Sequence, residues 1–410
     1  MNDKICTDVF IVGGGVVGMT LAIGLATLKK QVVLIDAKPA MSDDDWQAAL
    51  ASRDARVYAL NAASLALFAS IDITDFVRRA DYTDMKVWQG DGRGELNFAK
   101  ASINPTTLGS MIEPVVIDEA LCRRASQADV AQYLTVLHGR RVDELLGVDV
   151  RHDGVGLVIS DDDGHRTLID TKLLVGADGR GSAIRRLAGI QVDRLDYQQT
   201  AICCAIKTDK PHEHTARQAM LPTGTLALLP LADLDAQDGG CWQSVVWTLP
   251  TQMARDYLAL PPNELAEKLA LASGFELGDI HQIESVASFL LSAQVAKSYT
   301  APHTLLIGDA AHGVHPLAGQ GLNLGLADVA TLLGLIDKPH QDNEQLLRRY
   351  ERARRAYNAL MMHSFSLINY AFVGDVFQTE PMRFIRSETV NLVGKIRPLM
   401  DFFNKKASGV

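Results

Sequence analysis

Asp8-Val-Phe-Ile-Val-Gly-Gly-Gly-Val-Val-Gly-Met-Thr-Leu-Ala-Ile-Gly-Leu-Ala-Thr-Leu28 decides how this chain folds. Residues 8–12 form a short apolar, β-branched run that reads as a buried strand. The glycines after it force a tight turn, and residues 16–28 continue as an apolar helix. A second run, Gln31-Val-Val-Leu-Ile-Asp36, completes a strand–helix–strand unit of about thirty residues. In this frame Gly13, Gly15 and Gly18 fit the pattern G-x-G-x-x-G. Gly13 permits the turn, Gly15 lets backbone N–H groups approach a pyrophosphate at the helix N-terminus, and Gly18 lets the helix pack closely on the strand. Asp36 stands where a carboxylate accepts hydrogen bonds from a ribose diol. The unit reads as a dinucleotide-binding βαβ, and at this point NAD and FAD are both open.

The same stretch has a competing reading, because Val9 to Leu28 runs twenty residues without a charge, the length of a membrane span. Asp3 and Asp8 break the positive flank that a signal sequence carries, and four glycines cluster in the middle, so the local explanation is the better one. The 410 residues are 47% hydrophobic, which excludes a disordered chain and predicts two or three domains. With 40 Lys+Arg against 49 Asp+Glu the net charge is −9, which argues against a nucleic-acid partner. Cys6, Cys122, Cys203, Cys204 and Cys241 form an odd set with no CxxC spacing. Neither a disulfide framework nor a metal site is expected, and a reducing, cytoplasmic compartment is the economical reading.

Two later segments repeat the strand-then-turn arrangement. Leu173-Leu-Val-Gly-Ala-Asp-Gly-Arg-Gly-Ser-Ala-Ile-Arg185 places Asp178 and Gly179 in a turn after a buried strand. Thr304-Leu-Leu-Ile-Gly-Asp-Ala-Ala-His312 delivers Gly308 and Asp309 at the carboxyl end of another. There follows Gly313-Val-His-Pro-Leu-Ala-Gly-Gln-Gly-Leu-Asn-Leu-Gly325, a loop opening a helix that runs from about Leu322 toward Ile336.

Taken in order and at these spacings, the three motifs resemble the FAD-dependent aromatic hydroxylases, the group A flavoprotein monooxygenases of the para-hydroxybenzoate hydroxylase fold. The resemblance covers most of the chain. It implies an α/β fold: a Rossmann-like FAD-binding domain with an inserted mixed β-sheet substrate domain and a C-terminal helical segment. It also implies FAD as cofactor and NAD(P)H as reductant. Asp309 is then expected at the ribityl chain. The backbone N–H groups of Gly319, Gln320, Gly321, Leu322 and Asn323 are expected to face the flavin pyrimidine, where negative charge gathers on reduction. Pro316 and Gly319 are expected nearest the ring, and no protein side chain is assigned as catalytic. Asp178 and Gly179 match the motif that touches the FAD pyrophosphate region and the nicotinamide nucleotide. Arg56, within Asp54-Ala-Arg-Val-Tyr-Ala-Leu60, matches the family's early arginine beside FAD. His312 and His315 are read as structural hydrogen-bonding groups, and His212 and His214 as solvated loop residues.

Within that superfamily, His315-Pro-Leu-Ala-Gly-Gln-Gly-Leu-Asn-Leu-Gly-Leu-Ala-Asp328 is most similar to the ubiquinone-biosynthesis ring hydroxylases, the UbiH/UbiF/VisC group, with Ala327 where arginine is common. The implied substrates are O2 and a polyprenylated phenol or quinol, hydroxylated on its aromatic ring. Two readings compete. One is a same-fold flavoprotein of another reaction class, such as a prenyl reductase or a halogenase; the halogenase Trp-x-Trp-x-Ile-Pro motif is absent. The other is a flavin-bound scaffold of a ubiquinone-synthesis complex.

The expected division is 1–80, 111–185 and 296–340 for FAD binding, 81–110 and 186–295 for the substrate domain, and 341–410 for the helical region. Trp247 and Tyr197 are candidate pocket aromatics whose base-rate role is sheet-core packing. Residues 381–406 carry six basic against two acidic side chains, interleaved with apolar ones such as Phe384, Ile385, Leu392, Val393, Ile396, Leu399, Met400, Phe402 and Phe403. Such a segment reads as a docking element for the inner membrane surface or a synthesis complex, or as a closing helix on the FAD domain.

Overall fold

A computed structural model describes residues 3–90, 95–99, 107–149, 153–313, 320–338 and 342–373. Its first sheet has five parallel strands in the order Thr304–Leu306, Arg166–Gly176, Asp3–Val12, Val32–Asp36, Leu134–His138. Antiparallel strands Arg140–Asp149 and Gly154–Asp161 extend it from Arg166–Gly176, and Thr300–Ala301 from Thr304–Leu306. The register places the strand ends. Val12 pairs with Gly176 on one side and Ile35 on the other, and Gly176 pairs with Leu306. The turns after these strands therefore lie side by side at one sheet edge, although the sequence spreads them over about three hundred residues. This carboxyl edge is where open α/β sheets bind ligands.

Helix Val16–Thr27 lies against that sheet and is buried on nearly all sides. It has no polar face because helix Gln320–Ile336 and helix Pro114–Ala125 cover it; a Cβ on Gly24 would fall 2.5 Å from Leu333 Cδ1. That explains its lack of charge without a membrane. No helix among the described residues is long and apolar enough to cross one.

The second sheet also has eight strands, in the order His312–Gly313, Ile280–Ala296, Val192–Thr208, Trp242–Pro250, Gly224–Pro230, Thr215–Leu221, Asp84–Gln89, Glu95–Ala99. It is mixed: Thr215–Leu221 pairs in parallel with Asp84–Gln89, and the other pairings are antiparallel. Side chains alternate across Val192–Thr208 as strand geometry requires. Ile202, Cys204 and Ile206 point into a core closed by helices Thr251–Leu258 and Pro262–Ala272. Ala201, Cys203 and Ala205 point the other way, toward the first sheet's domain. The two helices are an addition to the mixed β-sheet expected of 186–295. Helix Asn343–Val373 closes the described chain, and the basic tail 381–406 lies outside the described residues.

Candidate active site

The first turn is built around two close approaches. Gly13 has φ +110°, and a Cβ there would fall 2.4 Å from the Ala177 carbonyl oxygen; a Cβ on Gly18 would fall 2.0 Å from the Gly13 carbonyl oxygen. Gly15, the N-cap of helix Val16–Thr27, differs: a Cβ there meets nothing within 4 Å. No side chain caps this helix start and its first turn holds no acid. Its N–H groups thus face open space at the positive end of a helix dipole, the arrangement that receives a phosphate. Beside it the Gly14 N–H donates to Asp36 Oδ2 (2.6 Å) and the Lys38 N–H to Asp36 Oδ1 (2.7 Å), which fixes the carboxylate while leaving lone pairs to accept more.

The second turn holds Asp178 and Gly179, and here the Asp178 carboxylate serves its own loop. It accepts from the Ser182 hydroxyl (2.5 Å) and from the Ala183 and Ile184 N–H groups (2.6 and 3.1 Å), capping helix Ala183–Leu187. The side chain aimed at the neighbouring turn is Arg180. Its Nε lies 3.2 Å from Asp309 Oδ2, and its Nη1 donates to the Ser292 carbonyl at 2.8 Å. Gln294 Nε2 donates to the carbonyls of both Arg180 (3.1 Å) and Asp309 (2.9 Å). Buried Arg185 links the same two turns through the Ala310 and Arg180 carbonyls, each at 2.7 Å.

Gly308 and Asp309 form the third turn, and Asp328 holds it in place. The Gly308 N–H donates to Asp328 Oδ2 (3.0 Å), which also meets His312 Nε2 at 2.6 Å. Asp328 Oδ1 accepts from Arg354 Nε (2.6 Å) and Asn358 Nδ2 (3.1 Å). Asp328 is fully buried. Burial pushes its carboxyl upward, yet the His312 ring and the Arg354 guanidinium pull harder, and the carboxyl is held below its ordinary value. His312 is the structural group the sequence implied.

The glycine-rich loop opens helix Gln320–Ile336. Gly321 and Leu322 lie in its first turn, and Asn323 ties that turn down: Oδ1 accepts from the Asn61 N–H (3.1 Å) and the Ser64 hydroxyl (2.7 Å), and Nδ2 donates to the Ala59 carbonyl (2.8 Å). Pro316, Gly319 and His315 lie outside the described residues, as does the side chain of Gln320.

Arg56 joins this edge to the second sheet. Its guanidinium carbon lies 5.0 Å from the Phe289 ring centre and 5.7 Å from that of Tyr58. Burial raises the Tyr58 phenol, which shares its surroundings with Arg56, Asp118, Asp309 and Asp54. The segment bearing Arg56 is clamped to the sheet: Arg53 stacks 3.8 Å over the Trp242 ring and pairs with buried Asp238, and the Ser285 hydroxyl donates to the Arg53 carbonyl (2.6 Å).

Between the layers, Tyr197, Ala201, Cys203, Leu291 and Ala293 of the second sheet meet Ala55, Leu324 and Met362. This wall is apolar; burial pushes the Cys203 thiol up to about 11, so it is neutral. Tyr197 is on this side. Trp247 is on the far face, packed on Tyr257 (5.2 Å between ring centres), and is a core residue. One expectation fails: His212 is buried, not solvated. Its Nδ1 accepts the His214 N–H (3.0 Å), and burial lowers its basicity. The five cysteines are all free.

Sequence reasoning missed Arg180, Gln294, Arg354 and Arg53. Arg180 had a signal, a cation between two glycines of a site turn; the others are set by pairings between distant segments and carry none.

The family model described as "FAD binding domain" matches residues 6–364. The ubiquinone hydroxylase UbiL of Rhodospirillum rubrum is 33% identical over 99% of this chain and 90% of its own length. The 3-demethoxyubiquinol 3-hydroxylase of Escherichia coli is 30% identical over 93% of each chain. Among solved structures, p-nitrophenol 4-monooxygenase from Pseudomonas putida superposes with a TM-score of 0.76 over 99% of both chains at 17% identity. PqsL of Pseudomonas aeruginosa, solved with 2-aminobenzoylacetate, reaches 0.73 over 94% of this chain and 100% of its own at 19% identity, a likeness of fold.

Proposed function

The chain belongs to the FAD binding domain family, and from that premise we propose that it is the monooxygenase that hydroxylates the aromatic ring of a polyprenylated phenol or quinol in ubiquinone biosynthesis. One observation carries the reading. The parallel register sets the Gly13–Gly15, Asp178–Gly179 and Gly308–Asp309 turns side by side, and an apolar sheet face of small residues is packed against the same domain. Relatives named as ubiquinone-pathway hydroxylases support the substrate class.

The residues present fit FAD. Open space at Gly15 and an uncapped helix start without acids suit a diphosphate, and a carboxylate fixed at Asp36 suits a ribose. Asp36, the N–H groups of residues 15–18 and Arg56 would hold the adenosine diphosphate half. Asp309, positioned by Arg180 and Gln294, would hold the ribityl half. The first-turn N–H groups of Gln320, Gly321, Leu322 and Asn323 would face the ring, with Pro316 and Gly319 in the loop before them. Bound and reduced by NAD(P)H, FAD supplies the electron pair that splits O2, placing one oxygen on the ring and releasing the other as water.

The chain's own contribution is positional and electrostatic. The N-terminus of helix Gln320–Ile336 favours negative charge next to it. Ala201, Cys203, Leu291 and Ala293 form an apolar wall that excludes water. The electron-rich ring is the attacking group, and no side chain is assigned as base. Contact with the membrane surface or a synthesis complex through residues 381–406 is part of this reading, because a polyprenylated substrate partitions into lipid.

Complementation tests it. In a strain lacking this gene, wild type should restore the ring-hydroxylated product and Asp309→Ala should not. A scaffold would restore it with either, and that result would remove the enzyme reading.

A further inference from the structure

We propose that Phe289 is a cofactor-positioning residue: its ring holds the Arg56 guanidinium at the seam of the two sheets and leaves the N–H donors of that guanidinium to the FAD diphosphate. The proposal rests on the FAD-binding reading above, in which Arg56 meets the diphosphate half, and adds to it a residue of the second sheet that no motif names.

Strand Ile280–Ala296 carries Phe289 on the face of the apolar wall. Residues directly opposite one another in an antiparallel pair share a face, and Cys203 pairs with Ala287, Ala201 with Phe289 and Gln199 with Leu291. Ala201, Cys203 and Leu291 are buried in the wall, whereas Phe289 is 39% exposed at its rim. The Arg56 segment crosses the strand here. Ser285, four residues before Phe289, donates to the Arg53 carbonyl at 2.6 Å, and Ala55 is packed into the wall itself. Beyond Arg56 the chain enters strand Tyr58–Asn61, which is bonded to Asn323 in the first turn of helix Gln320–Ile336 through the Asn61 N–H (3.1 Å) and the Ala59 carbonyl (2.8 Å). Arg56 is thus fixed between the wall on one side and the third glycine turn's helix on the other.

The partners of Arg56 are aromatic. Its guanidinium carbon lies 5.0 Å from the Phe289 ring centre and 5.7 Å from that of Tyr58, and no oxygen among the described residues accepts from its side chain. Asp54 accepts the Arg56 backbone N–H (3.2 Å) instead, and Asp238 and Glu284 pair with Arg53. The other guanidiniums around the site differ: Arg53, Arg180, Arg185 and Arg354 each have a carboxylate or carbonyl acceptor. A carboxylate would neutralise Arg56 and occupy its fork. A ring attracts the cation and consumes none of its five donors. A half-buried guanidinium oriented in this way is matched to an anion with several oxygens, and a planar fork suits a phosphate. Phe289 is the nearer ring and comes from the second sheet. Removing it frees a long side chain to sample other rotamers, which lowers affinity without removing any direct contact to the ligand.

The test is fluorescence titration of full-length apoprotein with FAD. Phe289→Leu keeps apolar bulk and removes the ring; it should weaken FAD binding by about two- to fivefold, the worth of a part-exposed cation–π contact. Phe289→Met should repeat that loss, so the measurement does not hang on the folding of one variant. Phe289→Tyr, which keeps the ring, should bind like wild type. In an Arg56→Ala background Phe289→Leu should change nothing, because no cation is left to hold, whereas a residue that only fills the wall would cost the same with or without Arg56. Leu290→Ala, the next residue along the strand and 73% exposed, should match wild type. Wild-type affinity in both Phe289→Leu and Phe289→Met overturns the proposal. So does a loss that persists in the Arg56→Ala background, or Phe289→Tyr binding as weakly as Phe289→Leu. Wild-type apoprotein that binds no FAD would instead overturn the cofactor reading itself.

Discussion

Replacing Asp328 by alanine should be among the most damaging single changes in the chain. The carboxylate is fully buried and serves four donors: the Gly308 N–H, His312, Arg354 and Asn358. Without it, the Arg354 guanidinium, itself only 7% exposed, keeps the Leu324 carbonyl and Asn358 Oδ1 but loses its only counter-ion among the described residues. Leaving one partner of a buried ion pair uncompensated costs about 3–5 kcal/mol. Removing both charges costs less, because an apolar replacement carries no desolvation penalty. Asp328→Ala/Arg354→Met should therefore be more stable than Asp328→Ala alone, by about 1 kcal/mol or more. Urea denaturation of the four proteins at pH 7 measures the cycle.

The native carboxyl is held below its unfolded value of about 3.8. Its contribution is therefore present above pH 4 and is lost as pH falls through the native value, so the acid limb should be steeper in wild type than in Asp328→Asn. A cost under about 1 kcal/mol for Asp328→Ala, or a double variant no more stable than the single, would refute the account of this hub.

Gly15→Val should leave folding intact, since a Cβ there meets nothing within 4 Å, and should abolish the yellow colour of the purified protein; retained colour would refute the diphosphate placement. Gly18→Ala acts on the protein itself, because its Cβ falls 2.0 Å from the Gly13 carbonyl, and should lower stability by about 1–3 kcal/mol in thermal or urea unfolding. The docking reading of residues 381–406 predicts that deleting the chain after Pro381 reduces membrane or complex association; unchanged fractionation of a folded protein would favour a closing helix.

Local chemistry makes much of this site legible. Gly13, Gly15 and Gly18, the Asp178–Gly179 turn and the Gly308–Asp309 turn each follow an apolar strand within a few residues, so spacing alone reveals them. What spacing cannot give is the register that sets Val12 beside Gly176 and Gly176 beside Leu306. Arg180 on Asp309, Arg354 on Asp328 and Arg53 on Asp238 depend on that register and on sheet-to-sheet packing. Helices Thr251–Leu258 and Pro262–Ala272 are hidden among strand-like runs, although the proline at the first position of the second and its buried Leu265 and Leu269 are helix signals. His212 has polar neighbours in sequence that suggest solvent, yet it is buried where Pro211 and Gly240 come together. Asp178 is legible as a site-turn residue, while its capping of Ala183 and Ile184 is not.

The most direct test of ring hydroxylation in ubiquinone synthesis is mass analysis of the quinone pool after deletion of this gene. The account predicts accumulation of a polyprenylated intermediate whose ring lacks one oxygen, with recovery on wild-type complementation and none with Asp309→Ala. An unchanged quinone pool, or an intermediate altered only in its prenyl chain, would contradict it.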